Sequence, residues 1–296
     1  MSELGYYPGC SLSGTAREYD LSLRAVAGKL GVQLKEVPEW ICCGASSAHA
    51  VDHEAALVLA SDTLLKARSA GLRNVLAPCA MCYQRLASAA RELREDGDLE
   101  RRVSQALGAD SQGGLDVRTM SLLDWLDGLT DEEIKPLIVR PLQGLKVACY
   151  YGCLLVRPPK VTGVADPESP RNMERMLTLM GAQPVRWSMA TECCGGSFAL
   201  SHKASVLRLV QRIAESARKS GAQAICMACP MCHANVDMRQ LELDAAPIPA
   251  LYVTQLMGLA MGMDASGLGL DRHFVRFDID LARSVTGNQQ PATRSQ

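Results

Sequence analysis

Ten of the twelve cysteines in this chain obey one spacing rule that is used twice. Cys10 is followed by the adjacent pair Cys42-Cys43 and then by Cys79 and Cys82; Cys153 is followed by Cys193-Cys194 and then by Cys229 and Cys232. Each set is a single cysteine, a gap, Cys-Cys-Gly, a gap, and Cys-x-x-Cys. The gaps are 31 and 35 residues in the first half and 39 and 34 in the second. A fold for this chain must bring thiols from three separated segments to one place, and must do so in both halves.

Other landmarks keep step with the cysteines. Leu30-Gly31-Val32 matches Met180-Gly181-Ala182, and Gly71 and Cys79 match Gly221 and Cys229 at a displacement of 150. The segment 117–126, VRTMSLLDWL, resembles 251–260, LYVTQLMGLA. Duplication of one ancestral unit explains the agreement. The first cysteines are displaced by only 143, so the second half carries about eight extra residues, placed in the Pro- and Gly-containing segment 154–170.

Each half has the same expected outline. The segments LGYYPGC and LKVACYYGC are short strands that end at a cysteine, and helices follow over about 14–30 and 168–180, the second started by Ser169-Pro170. After Cys-Cys-Gly a further helix is expected; in the second half Val206, Val210, Ile213 and Ala217 recur on one helical face until Gly221 stops it, as Gly71 stops its counterpart. A short apolar strand then leads into each Cys-x-x-Cys. Alternating strands and helices predict α/β halves with small, mostly parallel sheets flanked by helices. Segment 91–143 completes the first half and connects the two. The cysteines fall at strand ends and a helix start, where open α/β sheets hold ligands and where a helix N-terminus favours a thiolate.

Composition narrows the chemistry. A net charge of −1 and only 4% aromatic residues argue against a nucleic-acid partner or an anionic membrane surface. The N-terminus has no basic segment followed by an apolar run, and no apolar stretch reaches the about 20 residues of a membrane helix. The expectation is a cytoplasmic protein, in which many regularly spaced cysteines mean metal or redox chemistry rather than disulfides. Four thiolates satisfy zinc, but each half offers five cysteines, two of them adjacent. An iron–sulfur assembly is larger and accepts neighbouring ligands. The usual cubane run is absent: Cys226, Cys229 and Cys232 carry part of its spacing, with no fourth cysteine after them.

The cysteine pattern, with Gly44 and Gly195 after the two pairs, resembles the cysteine-rich CCG domain, present twice. Over nearly the whole chain it resembles the B-type subunits of heterodisulfide reductases, including the related subunits of bacterial sulfur-oxidising complexes. CCG pairs also occur in iron–sulfur subunits of glycolate, lactate and glycerol-3-phosphate oxidising systems and of some succinate or fumarate reductases. Several of those add ferredoxin-type motifs, which this chain lacks. The resemblance implies two similar Rossmann-like CCG domains, here 1–143 and 144–284, with 285–296 a disordered tail. It implies one non-cubane 4Fe–4S cluster per domain, held by Cys10, Cys42, Cys43, Cys79 and Cys82 and by Cys153, Cys193, Cys194, Cys229 and Cys232. A disulfide entering between the facing clusters is cleaved there, or formed in reverse. The implied partners are a small ferredoxin-like C-type subunit and a flavin-containing A-type subunit. A chain rich in Ala and Arg and modest in Lys points to the bacterial branch, where a lipoate-carrying protein is the expected sulfur carrier. The alternatives are an electron-relay subunit of a dehydrogenase and a zinc-only structural pair.

Other residues invite plainer readings. Cys149 and Cys226 have no counterparts in the first half and are expected as small core thiols, or else as a redox-active extra pair. His49, His53, His202 and His233 lie near cysteine motifs; His233, next to Cys232, is either a proton donor to a departing thiolate or a hydrogen-bonding neighbour of cluster sulfur or backbone. His273 is assigned no function. Met173, Met176 and Met180 read as core, and Arg157 and Lys160 as loop cations, available to an anionic substrate.

Overall fold

Two four-stranded parallel sheets account for the duplication. The computed structural model describes residues 2–45, 48–110 and 112–282; the expected tail 285–296 and the end of the second expected domain lie outside them. The first sheet contains β1 (Ser2–Tyr6), β2 (Val32–Glu36), β3 (Asn74–Leu76) and β4 (Arg118–Met120), in the order β2-β1-β3-β4. The second contains β5 (Lys146–Tyr150), β6 (Gln183–Pro184), β7 (Ala224–Met227) and β8 (Ala250–Tyr252), in the matching order β6-β5-β7-β8. Every pairing is parallel. This is the α/β fold expected from strand–helix alternation.

The main helices are α1 (Arg17–Lys29), α2 (His53–Ser69), α3 (Ala80–Glu95), α4 (Gly97–Leu107), α5 (Leu122–Asp127), α6 (Asn172–Leu179), α7 (Lys203–Lys219), α8 (Pro230–Arg239) and α9 (Val253–Ala260). The apolar stripe of α7 is Val206, Val210, Ile213 and Ala217, all buried. Gly71 and Gly221 end α2 and α7 at φ of +77° and +80°, each donating its N–H to the carbonyl three residues back. The helix expected over 168–180 begins later, at Asn172, because the Asp166 carboxylate binds the backbone N–H groups of Glu168 and Ser169 and holds them in a turn.

The halves share a core. The rings of Tyr19 on α1 and Tyr252 at the end of β8 stack at 4.0 Å, and the Tyr19 hydroxyl donates to the Ala228 carbonyl at 2.9 Å. Ser22 and Thr254 hydrogen-bond at 2.7 Å between α1 and α9. The extra segment of the second half lies against α3 of the first: Gln84 Nε2 donates to the carbonyls of Leu154 (2.7 Å) and Arg157 (3.1 Å), and Arg91 donates to the carbonyl of Lys160. Among the described residues no helix is long and apolar enough to cross a membrane.

Candidate metal centres

The chain leaves the C-terminal ends of the two central strands of each sheet and deposits its thiols there. In the first half Cys10 lies just beyond β1, and Cys79 occupies the N-cap of α3 after β3, with Cys82 in the first turn. Cys42 and Cys43 come from the loop after β2. Cys43 Sγ and Cys82 Sγ are 3.3 Å apart. The second half repeats this: Cys153 follows β5, Cys229 is the N-cap of α8 and Cys232 lies in its first turn. Cys153 and Cys193, and Cys232 with both Cys194 and Cys229, lie near enough to shift one another's proton affinity.

Backbone details prepare the nests for sulfur. Gly44 and Gly195, at φ of +71° and +80°, turn their N–H groups onto Cys42 Sγ (3.4 Å) and Cys193 Sγ (3.3 Å). A methyl group on Gly9 or Gly152 would sit 3.0 Å from Cys82 Sγ or Cys232 Sγ. Tyr7 donates to the Ile41 carbonyl at 2.7 Å, and Tyr150 to the Glu192 carbonyl at 2.6 Å, so each ring pins the residue before a Cys-Cys pair. Tyr7, Tyr150, Gly9 and Gly152 escaped the sequence reading, which singled out only Gly44 and Gly195. The signal was present as Tyr-x-Gly-Cys at residues 7–10 and 150–153.

Crowding splits the thiol affinities for protons. Cys43 is lowered to about 7, chiefly by the hydrogen bond with Cys82, and Cys193 to about 6, chiefly by the bond with Cys153. The bonds to Cys232 and then Cys79 hold Cys229 down as well. Their partners Cys82, Cys153, Cys79 and Cys232 are raised. All twelve cysteines are free. Five convergent soft donors per half, with backbone N–H groups on sulfur, suit an iron–sulfur core and exceed what one zinc ion uses.

The nests are neighbours: Cys79 and Cys229 shift each other's proton affinity across the halves, and Ala80 and Met81 of the first half lie against the second nest. Cys10, Cys42 and Cys193 are exposed while Cys43, Cys79, Cys82, Cys194, Cys229 and Cys232 are buried, so each nest is deep on one side and open on the other. A cavity of about 70 Å³ at the second nest is lined by its five cysteines and by residues of both halves, among them Met81, Leu154, Phe198 and Met231. A larger depression of about 490 Å³, lined by Arg91, Arg94, Arg118 and Lys160, contains no cysteine.

The cysteine-rich domain profile, CCG, matches residues 4–87 and 147–237, one match on each nest. The chain belongs to the CCG cysteine-rich domain family. Its relatives in that family include a Wolinella succinogenes 8-methylmenaquinol:fumarate reductase membrane anchor subunit, 32% identical over 92% of this chain and 97% of the relative. The B-type subunit of a Methanosarcina acetivorans ferredoxin/F(420)H(2)-dependent CoB-CoM heterodisulfide reductase is 29% identical over 93% of this chain and 95% of its own length. A Helicobacter pylori hypothetical protein of known structure superposes at a TM-score of 0.73 with 12% identity, covering 94% of this chain; the chain spans about half of that protein, 53%, and the likeness concerns the fold alone.

Within this CCG frame the remaining residues find their places. Cys149 and Cys226 are register partners on β5 and β7, fully buried, with Cys226 Sγ 3.9 Å from Met173 Sδ; they are core thiols beside core methionines. Burial lowers His233 to about 3. Its Nε2 lies 3.0 Å from the Ala250 carbonyl and 2.9 Å from His273 Nδ1, and its ring stacks on Tyr252. Burial holds it neutral, and its Nε2 is engaged with His273 rather than with a cysteine. His273, assigned no function from sequence, is buried too, and Asp237 below it accepts the N–H groups of Phe274 and Val275. His233, Asp237 and His273 lie close enough to suggest a metal ion. Gln255 answers otherwise: its Oε1 accepts from Tyr252 N and its Nε2 donates to Leu268 O, so the same Nε2 meets His273 Nε2 as a donor and leaves the His273 proton on Nδ1, where a metal would bind. His53 pairs with Glu92, His202 with Ser201, and His49 lies in a short surface helix. Arg157 is consumed by Glu168 and Thr191.

Proposed function

We propose that this chain is the iron–sulfur subunit of a heterodisulfide reductase-like complex, acting in the cytoplasm. Domains 1–143 and 144–284 would each hold one non-cubane 4Fe–4S cluster on five cysteines. A disulfide or thiol would be handled between them, and a lipoate-carrying protein fits as the sulfur carrier. The observation that supports this reading is the cavity at the second nest, which is lined by all five of that nest's cysteines and by Ala80 and Met81 from between Cys79 and Cys82 of the first nest. The clusters would supply one-electron steps and soft binding sites for sulfur, so that two electrons reach a disulfide without a free thiyl radical. The protein's part is to hold ten sulfurs through strand ends and helix starts, to lower the proton affinity of Cys43, Cys193 and Cys229, and to keep water from the buried sulfurs. Electrons would come through a ferredoxin-like C-type subunit fed by a flavin-containing A-type subunit; the ferredoxin dependence in the Methanosarcina relative's name supports an external electron donor.

The Wolinella relative supports a second reading, an electron-relay subunit of a fumarate or succinate dehydrogenase-type complex. Anaerobic reconstitution with iron and sulfide analysis tests the clusters: two four-iron clusters per chain are expected, and four irons or fewer remove the two-cluster proposal. Addition of a thiol then separates the functions. A changed paramagnetic spectrum supports sulfur chemistry at the clusters, and an unchanged one supports the relay.

A further inference from the structure

We propose that the depression between α3, β4 and the extra segment of the second half is an anion site that takes a diphosphate group, free or carried by a small organic molecule. The site is separate from the sulfur chemistry, since no cysteine lines it. Its volume of about 490 Å³ is that of a small-molecule pocket. Its cations come from three pieces of chain: Arg91 and Arg94 on α3, Arg118 on the edge strand β4, and Lys160 in the extra segment. Both halves therefore turn positive charge into one hollow.

The carboxylates close by do not neutralise that charge. Glu95 pairs with Arg91 at 2.8 Å, and Asp116 is drawn to Arg68, outside the lining, at 2.8 Å. Among the described residues Arg94, Arg118 and Lys160 have no carboxylate partner. Backbone carbonyls orient the α3 side chains instead. Arg94 Nη2 donates to the Leu115 carbonyl at 3.1 Å, and Arg91 donates to the carbonyl of Lys160. A carbonyl fixes a guanidinium without cancelling its charge and leaves donors of the fork for a ligand oxygen. Three unanswered positive charges around one hollow match a ligand group with two or more negative charges. The remaining walls, among them Ala87, Leu115, Val117 and Val161, are apolar and leave room for an organic group beside the diphosphate.

The duplication shows that the fold does not demand these charges. At the displacement of 150, Arg91 and Arg94 are Leu241 and Asp244 in the second half. In strand register Val75 faces Thr119 and its counterpart Ile225 faces Ala250, so Pro249 takes the place of Arg118. Lys160 belongs to the segment that only the second half has. The cations thus gather at the one place where that segment crosses α3, and a ligand held there would tie the segment to the first half.

Pyrophosphate and adenosine diphosphate form the test. Each is titrated by calorimetry into the anaerobically reconstituted full chain at pH 7 and fixed ionic strength. One molecule per chain is expected, bound more weakly as salt is added. Lys160→Glu and Arg118→Glu, both at exposed positions, should each weaken binding at least about tenfold at unchanged iron content, because each replaces an attraction with a repulsion. Arg208→Glu makes the same charge change on the exposed side of α7, outside the lining, and should move the affinity less than about threefold. Tighter binding of adenosine diphosphate identifies an organic diphosphate as the occupant, and equal binding of the two identifies the inorganic ion. Binding of neither compound overturns the proposal, and so do affinities in Lys160→Glu and Arg118→Glu that match that of Arg208→Glu.

Discussion

The two halves agree wherever they touch sulfur and differ wherever they touch each other. Gly9 and Gly152 clear the same 3.0 Å beside Cys82 and Cys232, Gly44 and Gly195 turn the same N–H onto sulfur, and Tyr7 and Tyr150 brace the same carbonyl before a cysteine pair. The second half alone has the segment 154–170 lying across α3, and it alone has the buried His233–His273–Asp237 group. The positions of His233 and Asp237 are Tyr83 and Ala87 in the first half, at the displacement of 150. Holding a five-sulfur site is one geometric problem, and both copies kept one solution. Joining two copies presents each with a different neighbour, and there the sequences parted.

The sharpest way to break this comparison is to remove one sulfur from each nest. Cys82→Ser and Cys232→Ser should each lower bound iron by about half, because each half would hold its own cluster. Iron and sulfide analysis after anaerobic reconstitution checks it. Loss of all iron from either variant would mean one shared centre rather than two equivalent ones.

Next in size are the glycines. Gly9→Ala and Gly152→Ala force a methyl group to 3.0 Å from a cysteine sulfur at φ of +60° and +66°. Each should cost about 3 kcal/mol, part backbone strain and part overpacking. Gly71→Ala and Gly221→Ala carry a similar φ with nothing within 4 Å, and should cost about 1 kcal/mol. Urea midpoints of the four variants check both the gap between the pairs and the match within each pair.

How far the sequence revealed this depends on what kind of regularity each feature has. The sulfur sets were legible because covalent order preserved their spacing in both copies. The stripe Val206, Val210, Ile213 and Ala217 was legible because a helix converts a 3.6-residue period into a face. His273 was not, since it meets His233 from 40 positions away and no local pattern marks the meeting. Arg157 looked available to substrate because its charge is visible in sequence and its partner Glu168, 11 residues on across a loop, is not. The Tyr-x-Gly-Cys repeat lay in plain view, but an aromatic at a strand end reads first as core, and only the Ile41 and Glu192 carbonyls show what the hydroxyls do.

The half-specific histidine group should appear in the pH dependence of stability. Burial lowers His273 from 6.5 to about 4. The folded chain then binds fewer protons here than the unfolded chain. The stabilising effect is complete above the unfolded value and fades as pH falls toward the folded one. Between pH 7 and pH 5 this amounts to about 2 kcal/mol. His273→Gln should remove that share of the slope and leave the share of His233, which burial lowers to about 3, as measured by urea denaturation across the interval. A native profile without slope there would show that His273 is hydrated in solution.

The smallest effect tests how closely the copies match. Tyr7→Phe and Tyr150→Phe keep the ring and delete one hydroxyl, leaving the Ile41 or Glu192 carbonyl without its donor. Each should lower stability by about 1 kcal/mol, the net worth of one hydrogen bond. The ring contacts differ: Tyr7 meets Trp40 edge-on at 5.3 Å, and Tyr150 meets Trp187 at 6.1 Å and a 52° tilt, but neither substitution removes a ring. The two losses, read from melting temperatures of the reconstituted variants, should therefore match within about 0.5 kcal/mol, and a larger gap between them would break the correspondence of the two braces.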